Sequence, residues 1–377
     1  MLESRPDAAM TYFYGQLFAM DHEIRAMFPA AMDEQRRRSF AALARIARDA
    51  GEGAGSQDGA ALDSYLQELG RAHRKFGVRE RHYDAFRQAL MATLHKFAAE
   101  RWDVAAKDAW LAAFDRAASV MIEGARRDAA HFPAWWIGTV TAKEPRGPDL
   151  AVLTLRPDQP LSYLPGQHVS VQTPHWPRLW RRYSIANAPR PDGTLRLHVR
   201  AIAGGLVSPA IVHHVRVGEP LVIGAPAGTM TADTASARDV LCLAGGTGLA
   251  PIKAIIEAII RTPAPGRRRE IVLYHGGRRR QDLYDLADLR QIEVAYPWLR
   301  VIPAVSDEAL PDEMLPDGMA DDVMRGTVPE LAAAASWFDR DIYISGPDAM
   351  IRRTARVLDD LGAPRHLVHY DLGGETG

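Results

Sequence analysis

The sequence predicts a multi-domain fold in three parts: an all-α domain, an antiparallel β-barrel, and an α/β domain built on a parallel sheet. Before residue 131, apolar residues recur at helical spacing and proline occurs only at Pro6 and Pro29. After it, short β-branched runs alternate with Pro/Gly turns, as in a barrel. From Asp239, strands alternate with helices, which indicates a parallel sheet. The 377 residues suffice for two or three domains.

Composition narrows the class of protein. Apolar residues make up 47% and charged residues 25%, and the net charge of −1 argues against nucleic acid or an anionic membrane surface as a partner. The single cysteine, Cys242, excludes an internal disulfide and a cysteine-held metal cluster, and we expect it to be a buried strand residue. Without a long apolar run or a recognisable signal peptide, we expect a cytoplasmic protein with no integral membrane segment.

The helical domain is expected over residues 1–130. The stretch GEGAGSQDG (51–59) interrupts its helices as a loop. After it, one helix face carries Leu62, Leu66, Leu69 and His73. A histidine on an apolar face is in most cases a satisfied core residue, but its neutral nitrogen could equally ligate a haem iron.

The barrel is expected over residues 131–232. Its strand-like runs are IGTV (137–140), VLTL (152–155), HVSVQT (168–173), RRYSIAN (181–187), LRLHVRAI (195–202) and PLVIGAP (220–226). Within RRYSIAN, Arg181 could pair a pyrophosphate, Tyr183 could cover a flavin ring, and Ser184 could hydrogen-bond it. The stretch AGGLVS (203–208) offers Gly205 and Ser208 to a phosphate. The alternative is an ordinary surface strand and turn.

The α/β domain is expected over residues 233–377 and contains two glycine turns. AGGTGLAP (244–251) joins an apolar strand to an amphipathic helix, and its glycines would let a phosphate approach the helix start. YISGPDAM (343–350) repeats the strand–Gly–Pro–helix order and could face the first turn. The alternative is a plain tight turn. The candidate nucleotide-binding residues are Gly245, Gly246, Thr247, Gly248, Gly346 and Pro347.

In this order RRYS, GGLVS, APAG (225–228), GGTGLAP and SGPDAM resemble the ferredoxin–NADP reductase superfamily, from about residue 135 to 372. The resemblance implies FAD bound by the barrel and NAD(P)H bound by the α/β domain. Ser345 stands where the family often has cysteine. Near the C-terminus, Asp371 matches an acid beside the flavin, and Gly373 stands where an aromatic residue is usual.

The helical domain resembles the globin of flavohaemoglobins, in FYGQLFAMDHEIRAMFP (13–29) and AHRKFGVRERHYDAF (72–86). The resemblance implies that His73 ligates a haem b iron, that Tyr14 and Gln35 line the oxygen side, and that Phe28 packs on the haem. Tyr83 matches a tyrosine that supports the histidine. The alternative for Tyr14 and Phe28 is plain core.

Three departures from that family stand out. The family's first helix is shortened or missing. Its proximal glutamate aligns with Ala125, and Glu123 lies roughly 200° around the helix from that position, at 100° per residue. A distal leucine aligns with Ser39. We therefore expect weaker electron donation by His73 and lower peroxidase-like reactivity than a complete proximal triad would give.

The whole resemblance implies a nitric oxide dioxygenase: NAD(P)H reduces FAD, FAD reduces haem, and ferrous haem with bound O₂ converts NO to nitrate. Its partners are then O₂ and NO, with no obligate protein partner. Two alternatives stay open: a haem-based oxygen or redox sensor, and an FAD-dependent NAD(P)H oxidoreductase whose helical domain binds no haem and serves for docking. GGRRRQD (276–282) could hold a 2′-phosphate or be a solvated basic turn, so NADH and NADPH both remain possible.

Overall fold

The structure, a computed structural model, describes residues 5–49, 57–98, 102–262, 268–307 and 322–372. The chain divides into two compact units, one up to Trp135 and the other from Trp136 onward. The predicted fold class is confirmed, since helices are followed by an antiparallel barrel sheet and then by a parallel sheet. Most of the predicted loop 51–59, and Gly373, lie outside the described residues. Among the described helices, none is both long and apolar enough to cross a membrane.

The first unit is helical. Asp21 and Asp103 cap two of its helices by accepting hydrogen bonds from backbone N–H groups of the first turn. Apolar side chains form two buried clusters, one mainly between the first and fifth helices and one mainly between the fourth and sixth. The helices are α1 (Pro6–Met20), α2 (His22–Ala26), α3 (Asp33–Asp49), α4 (Gln57–His73), α5 (Glu80–Ala98) and α6 (Val104–Ala129).

Helices α4 and α6 cross in backbone contact. A Cβ atom at Gly70 would lie 2.0 Å from the carbonyl oxygen of Met121, and one at Gly124 would lie 2.6 Å from that of Gln67. Only glycine permits such an approach, because any other residue would place a carbon inside the neighbouring backbone. The two glycines therefore fix the position of α4, which ends at His73.

The barrel sheet is antiparallel, with strand order β4-β3-β6-β1-β2-β5. A bridge between Ile185, just beyond β4, and Leu197 on β5 brings the two edges of the sheet together. A brief helix contains Ser208: α7 (Val207–Pro209) leads into a π-helical turn, Ala210–His214. The strands are β1 (Trp136–Pro145), β2 (Leu150–Pro157), β3 (His168–Gln172), β4 (Arg181–Ser184), β5 (Leu195–Arg200) and β6 (Pro220–Ile223).

The second sheet is parallel, with strand order β10-β9-β8-β7-β11-β12. Helices pack on both faces, so its central strands are apolar on both sides. The elements are β7 (Asp239–Gly245), α8 (Leu249–Arg261), β8 (Ile271–Gly277), α9 (Leu286–Ala295), β9 (Leu299–Val305), β10 (Met324–Arg325), α10 (Val328–Ala334), β11 (Arg340–Ser345), α11 (Asp348–Asp360) and β12 (Val368–His369).

Polar contacts join the two sheets within the second unit. The Tyr284 hydroxyl lies 2.7 Å from Nδ1 of His198 on β5. Nη2 of Arg146, in the β1–β2 turn, donates to Asp288 on α9 at 3.1 Å. Glu257 on α8 accepts a hydrogen bond of 2.9 Å from the backbone N–H of Ala188. These contacts hold the barrel and the α/β domain as one body.

Candidate functional site

A cluster of three polar side chains lies between α1 and α3. The hydroxyl oxygen of Tyr14 lies 2.6 Å from Oγ of Ser39. Nε2 of Gln35 donates to both of these oxygens at 3.3 Å. Gln35 and Ser39 are four residues apart on α3, so the helix presents them on the same face. The predicted pair Tyr14 and Gln35 is thus brought together, with Ser39 as a third member.

Aromatic rings surround the Tyr14 side chain. Its ring packs edge-on against Phe28 with centroids 5.4 Å apart, and against Phe18 at 5.5 Å. Arg25 fixes the turn that carries Phe28, because its guanidinium donates to the carbonyl oxygen of Phe28 at 3.2 Å. Burial raises the pKa of Tyr14, and the hydrogen bonds from Ser39 and Gln35 act in the opposite direction. Tyr14 therefore stays protonated and can donate a hydrogen bond inside an otherwise apolar pocket.

His73 is the last residue of α4, and its ring is held by its own helix. Nδ1 lies 2.6 Å from the carbonyl oxygen of Leu69. Because a carbonyl oxygen only accepts, Nδ1 carries the proton and Nε2 keeps a free lone pair. Burial lowers the pKa of His73, which favours the neutral ring. A neutral imidazole with a fixed tautomer is the donor that a haem iron requires, so this residue fits the predicted role.

Tyr83, on α5, was predicted to support His73, whose Nδ1 donates its described hydrogen bond to the carbonyl oxygen of Leu69. Burial raises the pKa of Tyr83 to about 12. Its side chain lines a cavity of about 410 Å³ between α5 and α6, together with Glu123. Ala125, which aligns with the family's glutamate, is not among the residues that line this cavity, and the alignment stays a prediction. The two-residue offset between them turns the helix by roughly 200°, and it is Glu123 that faces Tyr83's cavity.

The predicted flavin residues lie on β4 and the loop after β5. The Tyr183 hydroxyl is buried and, among the described residues, has no hydrogen-bond partner. Burial raises its pKa, so it stays protonated. Arg181 and Ser184 pair with β3 through the backbone. An unpaired buried hydroxyl next to them is the environment that a polar ligand such as a flavin would complete.

Ser208 and Gly205 close the turn that follows β5. Oγ of Ser208 accepts from the backbone N–H of Ile202 at 3.2 Å, and Gly205 donates its N–H to the Ile202 carbonyl at 2.9 Å. The serine side chain is buried. The predicted phosphate loop is therefore preformed by its own hydrogen bonds.

The two predicted glycine turns meet at the carboxyl ends of neighbouring strands. Ala244 on β7 pairs directly with Ser345 on β11. A Cβ atom at Gly248 would lie 2.4 Å from the Ser345 carbonyl carbon, so only glycine fits between the turns. Gly246 and Gly346 adopt φ of 52° and 155°, which other residues rarely take. The remaining members of this junction are Gly245, Thr247 and Pro347.

Asp371, predicted to bind a cofactor, instead has its described hydrogen bonds within the protein. Its carboxylate accepts from the backbone N–H of Thr229 at 2.9 Å, from the Thr229 hydroxyl at 2.7 Å, and from the N–H of Met230 at 3.2 Å. Free N–H groups of a turn attract an anion. The acid thus clamps the C-terminal segment to the loop after β6.

A buried cluster behind the nucleotide junction was missed by the sequence reasoning. His275, at the end of β8, lies with Nε2 3.3 Å from the carbonyl oxygen of Gly246, and the His198–Tyr284 pair adjoins it. Burial lowers the pKa of His198 to about 3 and that of His275 to about 4, so both rings are neutral. No local pattern marks them, because their partners lie on other strands and loops.

Cys242 is buried in β7, as expected, and burial raises the pKa of its thiol to about 12. A thiol that is protonated and shielded from solvent is unreactive. Within the described residues, no group of three or more histidine, cysteine or acidic side chains is arranged to hold a metal ion.

Comparison with known proteins gives the three parts of the chain separate matches. Residues 11–121 match the globin family, 138–231 an oxidoreductase FAD-binding domain, and 242–356 an oxidoreductase NAD-binding domain. The flavohemoprotein of Bordetella pertussis is 26% identical over 395 residues, covering 100% of this chain and 96% of that protein. The chain belongs to the flavohaemoglobin family. Like other flavohaemoglobins, it is an oxidoreductase with a domain for each predicted cofactor: haem, FAD and a nicotinamide nucleotide.

Two further relatives agree with this assignment. The ferredoxin–NAD(P)⁺ reductase component of naphthalene 1,2-dioxygenase/salicylate 5-hydroxylase systems from Ralstonia is 31% identical over 240 residues, covering 64% of this chain and 69% of that protein. The crystal structure of the Malassezia yamatoensis flavohemoglobin with bound FAD and heme matches 98% of this chain at 17% identity, with a TM-score of 0.78. The second likeness shows that the fold is that of a flavohaemoglobin.

Proposed function

We propose that the protein is an NAD(P)H-dependent nitric oxide dioxygenase. The observation that supports this most is the hydroxyl of Tyr14, held by Gln35 inside a pocket of aromatic rings. A buried donor in an apolar pocket is suited to stabilise partial negative charge on a small ligand, because few other dipoles compete with it there. O₂ and NO are the substrates, and no obligate protein partner is invoked.

Each predicted cofactor has residues suited to hold it. His73 would ligate the haem iron through Nε2, and Phe28 would pack on the ring. When bound, haem and FAD supply single-electron transfer from a nicotinamide hydride to oxygen. Within this scheme, Tyr14 would donate a hydrogen bond to the oxygen ligand, and Gln35, predicted to line the same side, holds the Tyr14 hydroxyl through its amide. The rings around Tyr14 exclude water from that donor.

On the reductase side, Arg181, Tyr183 and Ser184 would contact the flavin, and Gly205 and Ser208 its phosphates. The glycine junction, Gly245 to Gly248 with Gly346 and Pro347, would admit the nicotinamide nucleotide at the sheet's carboxyl edge, where ligands bind in open α/β folds. Arg278 is 84% exposed and its Nε lies 4.0 Å from the Asp307 carboxylate, so the basic turn is accessible either to a 2′-phosphate or to solvent. The coenzyme is therefore to be determined by comparing kcat/KM for NADH and NADPH.

The test starts from the absorption spectrum of the purified full-length chain. We expect a Soret band with a flavin shoulder, reduction of both by anaerobic NADH or NADPH, and NO consumption with nitrate formation once O₂ is added. The Tyr14→Phe variant should bind both cofactors but consume NO more slowly.

Two other outcomes would refute the proposal and identify its alternatives. A flavin spectrum without a Soret band, from cells supplied with a haem precursor, would leave an NAD(P)H reductase with a haem-free helical domain. A haem that is reduced but leaves NO unconsumed would favour an oxygen or redox sensor. The similarity to the Ralstonia reductase component, over 64% of this chain, is compatible with either alternative.

A further inference from the structure

Ser39 places a hydroxyl where it completes a ring of hydrogen bonds with Tyr14 and Gln35. The Gln35 amide nitrogen has two hydrogens and lies 3.3 Å from both hydroxyl oxygens, so it donates to each. The two hydroxyl oxygens lie 2.6 Å apart, so one hydroxyl hydrogen lies between them. Tyr14 and Ser39 have one hydroxyl hydrogen each, so the hydrogen that does not lie between the two oxygens is available to a third group.

We propose that Ser39 is a positioning residue for ligand binding on the haem, acting through Tyr14. In the free pocket Tyr14 donates its hydrogen to Ser39, because a phenol is a stronger acid than an alkyl alcohol. When a ligand with partial negative charge arrives, the Tyr14 hydrogen turns to the ligand and Ser39 donates to Tyr14 in its place. This inference rests on the proposed function, since it assumes haem at His73.

Three features of the cluster support this two-way exchange. Both hydroxyls keep a partner in either state, so the buried Tyr14 never has to leave its hydrogen unpaired, which would cost free energy. A tyrosine that accepts from both Ser39 and Gln35 is a stronger donor to a third group, because hydrogen bonds in a chain polarise one another. Ser39 is only half-buried, so its own hydrogen can turn at little cost.

An apolar side chain at position 39 would break the exchange. Tyr14 would then keep only Gln35, which donates to it and cannot accept through Nε2. The Tyr14 hydrogen would lose its resting partner, and its oxygen would lose one of the two donors that strengthen it. Serine at this position therefore increases the retention of a polarised diatomic ligand.

The experiment measures CO and O₂ binding to the reduced full-length protein, without NO. In Ser39→Ala we expect the C–O stretching band of the CO complex to move toward its position in Tyr14→Phe. We expect O₂ to dissociate roughly two- to tenfold faster, the range set by one hydrogen bond. Ser39→Thr keeps the hydroxyl, so its O₂ dissociation rate should stay within about twofold of that of the parent protein. Ser64→Ala removes a serine hydroxyl that bonds only to its own helix, and it should change neither measurement.

A double variant separates the proposed route from a general effect on the pocket. In the Tyr14→Phe background, Ser39→Ala should leave both the CO band and the O₂ dissociation rate unchanged, because the partner hydroxyl is already gone. An equal change in both backgrounds, no change in either, or slower dissociation in Ser39→Ala would overturn the inference. If Ser39→Ala has the expected effect on CO and O₂ binding but the parent protein does not consume NO, the proposed function alone is overturned. A missing Soret band would overturn both.

Discussion

Removing the Tyr183 hydroxyl should have opposite effects on the apoprotein and on FAD binding. The hydroxyl is buried without a partner among the described residues, and such a group costs about 1–3 kcal/mol of desolvation. Tyr183→Phe should therefore stabilise the FAD-free protein by about 2 kcal/mol. If FAD supplies the missing partner, the same change removes a hydrogen bond of about 1 kcal/mol from the complex.

The two effects add in a thermodynamic cycle. A gain of about 2 kcal/mol in the free protein and a loss of about 1 kcal/mol in the complex weaken FAD binding by about 3 kcal/mol. Since 1.4 kcal/mol is a factor of ten, the Kd for FAD should rise about 100-fold. The assays are urea unfolding of the flavin-free full-length chain and titration of that protein with FAD by flavin fluorescence.

Tyr163→Phe is the matched control. The Tyr163 hydroxyl donates to the carbonyl oxygen of Asn187 at 3.1 Å and accepts from its side-chain amide at 2.9 Å. Losing it should destabilise the apoprotein by about 1–3 kcal/mol, because the carbonyl oxygen of Asn187 loses its donor. The Kd for FAD should stay unchanged. If Tyr183→Phe destabilises the apoprotein as Tyr163→Phe does, the hydroxyl has a partner in the protein and the reasoning is wrong.

Three further predictions follow from buried groups. Arg269→Leu should lower the free energy of unfolding in urea by about 3–5 kcal/mol, because it leaves the Asp341 carboxylate, 3% exposed, without its cation. Gly248→Ala should raise KM for the nicotinamide nucleotide, since its Cβ would clash with the neighbouring turn. Below pH 6.5, stability should fall by up to about 1.4 kcal/mol per pH unit for each of His198 and His275, because burial depresses their folded pKa to about 3 and about 4 and only the unfolded chain binds the protons.

Each of these has a control that shares the chemistry but not the environment. Arg238→Ala breaks an exposed pair with Asp339 and should cost under about 1 kcal/mol. Gly15→Ala meets nothing within 4 Å and should leave KM unchanged. His213→Asn, at an exposed position, should leave the pH slope intact. Equal effects in a buried variant and its control would contradict the corresponding prediction.

The sequence predicted the elements of the fold well because its periodicity is local. Helical spacing placed His73 on the apolar face of α4, and the turn residues delimited the barrel strands. The pairing of two glycine turns at one sheet edge also followed, because parallel strands end on the same side. Bringing Tyr14 together with Gln35 needed the family resemblance, since periodicity does not say which helices touch.

What the sequence could not supply depends on distant partners or on exact register. Ser39 was noted only as a departure from the family, because its partner lies 25 residues away on another helix. Asp371 was predicted to bind a cofactor, and the structure adds partners that no local pattern indicated, the backbone N–H groups of Thr229 and Met230. The sequence aligned the family's glutamate with Ala125, and the structure adds that Glu123, two residues earlier, lines the same cavity as Tyr83.

The contacts between barrel and α/β domain have a consequence for how this protein unfolds. His198, Arg146 and Ala188 each form a hydrogen bond to a residue of the α/β domain, and the Asp371 carboxylate adds a fourth tie, from the C-terminal segment to the loop after β6. Domains tied by several such contacts lose them together, so the FAD and nucleotide halves should melt in a single calorimetric transition. The FAD-binding half and the nucleotide-binding half are then expected to fold only together, and to be inherited together. The FAD-binding and NAD-binding family matches, at residues 138–231 and 242–356, are the two halves that these contacts join.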